Sequence, residues 1–352
     1  MNKLFKLIPL IVLGTTTLVG CNHSNSDDGV IYIFTAHEPN RIELFNKELK
    51  EHFPQYNIQV AYKDTGNLMT EFKANGKDTD CDIFVGIEIT NAEILLKDNA
   101  DLFADLSDFD TSHYVDEVLE YQKDVVLADG TTRKGHKKYH IQDKEAGCIV
   151  YSKSKLAELG LSVPTSYEDL LSYPEKSIIM PNPKSSGTGY YFYNGLASLN
   201  GKDSALSYFR GLDNAVKEWS KSGSGPVKGV NDKSIAVGLG MHFQAVEYAN
   251  KNDDIGITYF NEGSPYTLYT MGIVNGKQDQ QGVKEVYQYF FDYVNYLDNC
   301  KIVPETIYKP EYAKPVEVEN WLSPSDYGKD YTAMKNLLDP AYKQELLDSW
   351  NI

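Results

Sequence analysis

Between residues 30 and 85 the apolar residues change period four times, and that alternation limits the chain to a small set of folds. Residues 30–34 form a short β-branched and aromatic run, and residues 41–53 place Ile42, Leu44, Phe45, Leu49 and Phe53 at helical spacing. Residues 56–62 predict a second strand, with Ile58 and Val60 alternating; residues 67–74 predict a helix and 82–85 a third strand. Strand, helix, strand, helix, strand marks a parallel α/β layer, because each crossover helix covers a face of the sheet. In such sheets ligands bind beyond the carboxyl ends of the strands. Thr35, His37 and Glu38 therefore stand where a site would form, as do residues 86–90.

A second α/β set follows. Strands are predicted over 148–151, 177–180, 234–239, 255–259 and 268–274, and helices over 153–159, 167–171, 189–199, 202–210 and 243–250. A long amphipathic helix is expected over 283–297 and a last one over 332–350. About 320 residues lie beyond the N-terminal segment, more than one comfortable core, so two lobes are expected. The division is residues 30–120 for the first part of lobe one and 121–266 for lobe two. Residues 267–352 then return to lobe one with the C-terminal helices.

Residues 1–20 carry Lys3 and Lys6 and then an apolar run, followed by Leu18-Val19-Gly20-Cys21. A basic start, a short apolar segment and small residues before a cleavage point form a secretory signal. The run is too short for a membrane span of about 20 residues. Leu-Val-Gly-Cys resembles a bacterial lipobox, in which the cysteine (here Cys21) becomes the lipid-modified first residue. Residues 22–29, rich in Ser, Asn and Asp, read as a tether. The expected location is extracytoplasmic, anchored by lipid to the cell membrane. Removing residues 1–20 takes away two lysines and no acid, moving the formal net charge from −16 to −18. So acidic a chain is a poor partner for nucleic acid or an anionic lipid surface. Cys81, Cys148 and Cys300 have no metal-like spacing; they read as isolated buried thiols, with a single bridge left open.

Ser185-Ser186-Gly187-Thr188-Gly189 is the most informative internal segment. It follows a strand and the stop Pro181-Asn182-Pro183, and precedes an aromatic helix. Hydroxyls and glycines at a helix start leave backbone N–H groups free to meet an anion, which the helix dipole also favours. The same residues also make an N-cap and turn with no ligand. No lysine follows the last glycine, which excludes a nucleotide P-loop. His242, between a strand and a helix, and Glu262-Gly263-Ser264-Pro265-Tyr266, after a strand, complete the candidates. Nucleophile-elbow, zinc-helix, Cys-x-x-Cys and dinucleotide signatures are all absent from the sequence, so neither an enzyme nor a cofactor is expected.

Together these segments resemble bacterial ABC-importer solute-binding proteins, in the extracellular family 1 branch that includes ferric-iron, aminoethylphosphonate and hexose-phosphate binders. The resemblance is carried by Ile31-Tyr32-Ile33-Phe34-Thr35, Asp82-Ile83-Phe84-Val85-Gly86, Gly147-Cys148-Ile149-Val150-Tyr151-Ser152-Lys153 and Pro164-Thr165-Ser166-Tyr167-Glu168-Asp169-Leu170. The 185–189 segment resembles the family's Ser-Gly-Thr-Gly loop, and 262–266 its Glu-Gly-Thr-Pro-Tyr-type segment. What the resemblance implies is the type 2 periplasmic-binding-protein architecture: two α/β lobes with a central cleft, closing on a solute and handing it to a membrane permease. A monomer is expected. The ligand residues would be Thr35 and His37 from one lobe, with Ser185, Ser186, Gly187, Thr188, Gly189, His242, Glu262 and Tyr266 completing the set. Iron binders of the branch hold Fe(III) with adjacent tyrosines after a strand; here that stretch is Gly240-Met241-His242-Phe243-Gln244. Hard Fe(III) wants anionic oxygen ligands, so the expected ligand is a small anionic solute, a phosphorylated or phosphonate compound, and no metal site is assigned. The alternatives are a ferric-iron carrier and, from another class, a cell-surface hydrolase.

Overall fold

The computed structural model describes residues 29–305, 307–313 and 316–352; the signal, Cys21 and nearly all of the tether lie outside them. Three parallel strands open the chain: β1 (Val30–Thr35), β2 (Asn57–Tyr62) and β3 (Ile83–Glu88), with β1 between the other two. Helices α1 (Pro39–His52), α2 (Thr65–Asn75) and α3 (Ile89–Asp98) follow them in turn. Phe45, Leu49, Leu68, Phe72 and Ile33 are all buried in the first hydrophobic core, as the spacing required.

The chain then passes α4 (Asp116–Glu120) and the small hairpin β4 (Val125–Val126) and β5 (Thr132–Arg133) before β6 (His140–Ser152). This 13-residue strand joins the two halves. Its first part, His140 to Ala146, pairs with β11 (Tyr266–Ile273), which in turn pairs with β3. Its second part, Gly147 to Ser152, pairs with β9 (Val237–Met241) and β10 (Ile255–Thr258). Between these strands lie α5 (Lys153–Leu159), α6 (Tyr167–Leu171), β7 (Ile178–Pro181), α7 (Gly187–Asn200), α8 (Lys202–Leu212), β8 (Val216–Ser220), α9 (Gly225–Asn231) and α10 (His242–Ala249). The sheet order is β2-β1-β3-β11-β6-β9-β7-β8, with β10 on β6. Strands β7, β8 and β9 are mutually parallel neighbours, so the second half repeats the logic of the first. Two main cores result, one around β1, β3 and β11 and one around β7, β9 and α7. The expected two-lobe α/β architecture is what the chain forms.

Several expectations shift. Only 148–151 read as strand, yet β6 starts at His140. Residues 142–145 are Gln-Asp-Lys-Glu, a polar run with no strand-like alternation of apolar residues, and all four are buried. Strand β8 and helices α3 and α9 are additions to the expected set. The helix expected over 283–297 runs through α11 (Val283–Tyr289), a π-type turn at Phe290–Val294 and α12 (Asn295–Lys301). The last helix, α13, is confined to Pro340–Ser349. Its Leu346 and the following Trp350 are buried in the second core, while Lys343 Nζ reaches Glu88 at 2.6 Å and Asn91 at 2.8 Å on the other side. Tyr121, Val125, Tyr139 and Ile141, expected with the second lobe, pack in or against the first core. Cys81, Cys148 and Cys300 are buried and form no disulfide among the described residues.

Candidate functional site

The carboxyl ends of β1, β2, β7 and β8 face a common cleft of about 890 Å³. Each of those strands is followed by a helix whose first residues line it. Ala36, His37, Glu38 and Pro39 come from the start of α1, and Asp64, Thr65 and Gly66 from the start of α2. Opposite them stand Ser185, Ser186, Gly187 and Thr188 at the start of α7, and Lys221, Ser222, Gly223 and Ser224 before α9. Tyr62, Met241 and Tyr269 close the remaining sides. Parallel strand–helix units aim their helix N-termini at one edge, so several sets of unpaired N–H groups converge there.

The α7 start is built as a donor cradle. Ser186 is its N-cap, and its Oγ accepts from Gly189 N at 3.4 Å. The N–H groups of Gly187 and Thr188 occupy the first helical positions, which have no partner inside a helix. Thr188 is nearly fully buried and abuts Gly223 of the facing loop. Ser220 Oγ donates to Ser222 O at 2.8 Å, and Gly225 N to Ser222 O at 3.3 Å, which fixes that loop. Lys221 is exposed and is the one lysine among the described lining residues, which include no arginine.

Beneath the first-lobe wall lies a buried charged cluster. Arg41, on α1, is fully buried and pairs with Asp143, with Glu145 at 2.9 Å and with Asp298. Its Nη1 also donates to His37 Nδ1 at 3.0 Å, so the proton of the neutral ring sits on Nε2, which donates to Gln142 Oε1 at 2.8 Å. Burial, then the Arg41 charge, hold His37 well below the usual histidine range. Burial works against the charge of Arg41, but the three surrounding carboxylates outweigh it and raise its pKa further. Burial, offset by Arg41, leaves Asp298 at about 6. His37, Asp143 and Glu145 have the spacing of a metal-ligand set. Arg41 nevertheless bonds to all three, so the cation at the centre of this cluster is the guanidinium and the residues do not fit a resident metal.

The cleft thus brings together five of the residues expected from sequence: His37, Ser185, Ser186, Gly187 and Thr188. His37 presents no free nitrogen, however, since both are engaged below the surface. Thr35 is fully buried, its Oγ1 accepting from His37 N at 3.2 Å. Gly189 packs α7 on the end of β7; a Cβ there would meet Pro181 O at 2.4 Å. The other three lie away from the cleft. His242 is buried with Nδ1 3.2 Å from Glu305 Oε1 and its ring 4.2 Å from that of Trp321. At the end of β9 it is Met241, the preceding residue, that lines the cleft. Glu262 is exposed and accepts from Tyr167 N at 3.2 Å, helping to start α6. Tyr266 is buried, its hydroxyl 3.4 Å from that of Tyr121 and its ring 4.3 Å below Lys144 Nζ. Sequence reading placed Glu38 at this edge without making it a ligand residue, and missed Tyr62, Tyr269 and the loop before α9. The Ser-x-Ser-Gly-Ser-Gly-Pro run at 220–226 was the available signal for that loop.

The profile described as "Bacterial extracellular solute-binding protein" matches residues 93–299, more than half of the chain. The chain belongs to this family. The extracellular assignment of the family places the binding protein outside the cytoplasm, and no described helix is long and apolar enough to cross a membrane. A Haemophilus influenzae protein of uncharacterised function is 26% identical over 178 residues; the match spans 49% of each chain. Among solved structures, the periplasmic binding protein AfuA from Actinobacillus pleuropneumoniae, with fructose-6-phosphate bound, is similar at a TM-score of 0.76 and 15% identity. The match covers 92% of this chain and 98% of that one. The periplasmic binding protein P5PA gives 0.72 at 17% identity, covering 92% and 98%. Iron-bound HitA from Pseudomonas aeruginosa gives 0.68 at 13% identity, covering 91% and 98%. These likenesses establish a shared fold, one also adopted by proteins whose structures hold fructose-6-phosphate or iron.

Proposed function

We propose that the protein is the solute-binding component of an ABC importer, capturing a small phosphorylated or phosphonate organic solute and delivering it to a membrane permease. The observation that carries this reading is the facing pair of Ser/Thr/Gly loops, 185–188 and 222–224, with Lys221 beside them. Backbone N–H groups and hydroxyls gathered from two adjacent loops suit a tetrahedral oxyanion better than any neutral group. The net charge of −18 does not oppose this, because screening over about 8 Å at physiological salt leaves local donors to decide. The loops belong to one wall, and α1 and α2 to the other. A ligand touching both walls favours the closed arrangement by its differential affinity. Cys21 is assigned as the lipid anchor, with residues 22–29 as its tether.

A thermal-shift series with inorganic phosphate, glucose 6-phosphate, 2-aminoethylphosphonate and ferric citrate tests the reading, since a specific ligand stabilises by mass action. At least one organic phosphate or phosphonate should raise the midpoint. Thr188→Val, which keeps the shape and removes the donor, should weaken its binding by about 1.5–3 kcal/mol, as expected for a bond to a charged group. Response to ferric citrate alone, with a visible tyrosinate band, would replace this reading with an iron carrier.

A further inference from the structure

Glu38 stands at the N-cap of α1, yet its side chain makes no capping hydrogen bond. Other carboxylates at this position do cap: Asp64 accepts from Asn67 N at 2.9 Å, and Glu88 from Thr90 N at 3.2 Å. Such a bond stabilises a helix by about 1 kcal/mol, so the Glu38 carboxylate forgoes a local partner. Its Oε2 is buried and meets no donor among the described residues, while the residue itself lines the cleft. Arg41 does not satisfy it, because the guanidinium spends its hydrogen bonds on His37, Asp143, Glu145 and Asp298. A buried acceptor left without a donor is unfavourable. Such a group at the wall of a binding cleft is completed by what enters the cleft.

Two phenols share this part of the molecule. Tyr269 lines the same cleft, its hydroxyl 3.3 Å from where a Cβ on Gly187 would stand. Tyr191 Oη is buried beside Thr188 and has no other hydrogen-bond partner among the described residues. Burial first, and neighbouring carboxylates including Glu38 and Glu145 next, hold both phenols well above their ordinary pKa, so they remain neutral. The cleft is therefore two-ended. One end offers N–H and O–H donors. The other, on the first-lobe wall, offers an unpaired Glu38 carboxylate oxygen near a cluster in which a single guanidinium serves Asp143, Glu145 and Asp298, while the neutral Tyr269 hydroxyl stands at the donor loop beside Gly187. A sugar hydroxyl would supply a donor but leave Glu38, whose pKa burial raises, without a counter-charge of its own. An ammonium supplies donors and a positive charge together.

We infer that Glu38 is a cation subsite, and that the solute is zwitterionic, carrying an ammonium group for Glu38 Oε2 as well as the phosphate or phosphonate held by the 185–188 loop. The inference rests on the anion reading of that loop. The test is calorimetric titration of the full-chain protein with two matched pairs: phosphoethanolamine against ethyl phosphate, and glucosamine 6-phosphate against glucose 6-phosphate. In at least one pair the amine should bind about tenfold tighter, equivalent to about 1.4 kcal/mol. Glu38→Gln should abolish that preference while leaving the affinity for the amine-free partner nearly unchanged. Glu38→Asp, which keeps the charge but shortens its reach, should retain part of the preference. Measurable but equal affinities within both pairs would overturn the cation subsite and leave the anion reading standing. Binding of none of the four would overturn both.

Discussion

Gly223 lies so close to Thr188 that a Cβ on the glycine would stand 2.1 Å from Thr188 Oγ1 and 2.9 Å from its Cβ. The two loops that face the cleft are thereby keyed into each other, one from the end of β7 and one from the end of β8. The glycine is required for space, since its backbone is not among those with positive φ. Gly223→Ala should push the loops apart, destabilise the fold by about 1–3 kcal/mol as overpacking does, and weaken ligand binding beyond that of Thr188→Val. Urea unfolding and calorimetry on the same variant separate the two effects. Unchanged affinity would show that the loops do not act as one cradle.

His242 and Glu262 should not contribute to affinity. Glu262→Ala removes an exposed side chain that accepts from Tyr167 N, so ligand affinity should hold and stability should fall by no more than about 1 kcal/mol. His242→Ala leaves a cavity under Trp321 and removes a partner from buried Glu305, so it should cost about 2–4 kcal/mol of stability with little change in affinity. A drop in affinity without a drop in stability in either variant would return that residue to the site.

The buried acids around Arg41 predict a pH dependence with a definite sign. Asp298 rises from an ordinary 3.8 to about 6, so between those values the folded state holds a proton that the unfolded state releases. Its contribution is therefore fully present below about pH 4 and is lost as pH rises through about 6, by up to about 3 kcal/mol. Asp298→Asn removes this titration. Chemical unfolding at intervals from pH 4 to 7 should show a smaller decline with rising pH in the variant than in the parent. Parallel curves would mean that Asp298 does not titrate in that window.

The α/β class was legible from residues 30–85, because α1 and α2 bury one stripe, β2 alternates, and β1 and the fully buried β3 are short apolar runs. The Ser-Ser-Gly-Thr-Gly loop was legible for a related reason: N-cap chemistry is local, and Ser186 caps its helix from within four residues. What failed was whatever depends on partners distant in sequence. Residues 142–145 carry no strand pattern, and partners far along the chain make a buried strand of them: Arg41 for Asp143 and Glu145, His37 for Gln142, and Tyr266 and Tyr331 for Lys144. His242 read as a cleft residue because it follows a strand; whether Met241 or His242 turns inward depends on Glu305 and Trp321, which sequence spacing does not bring near. Glu38 stands at the expected edge in the sequence, but its missing cap bond and its buried oxygen without a donor among the described residues belong to the tertiary structure. The sequence by itself thus determined the periodic elements and the locally capped loop. The tertiary structure alone decided which polar side chains face the cleft and which are consumed in holding it together, because a buried polar group is defined by its partners and those come from anywhere in the chain.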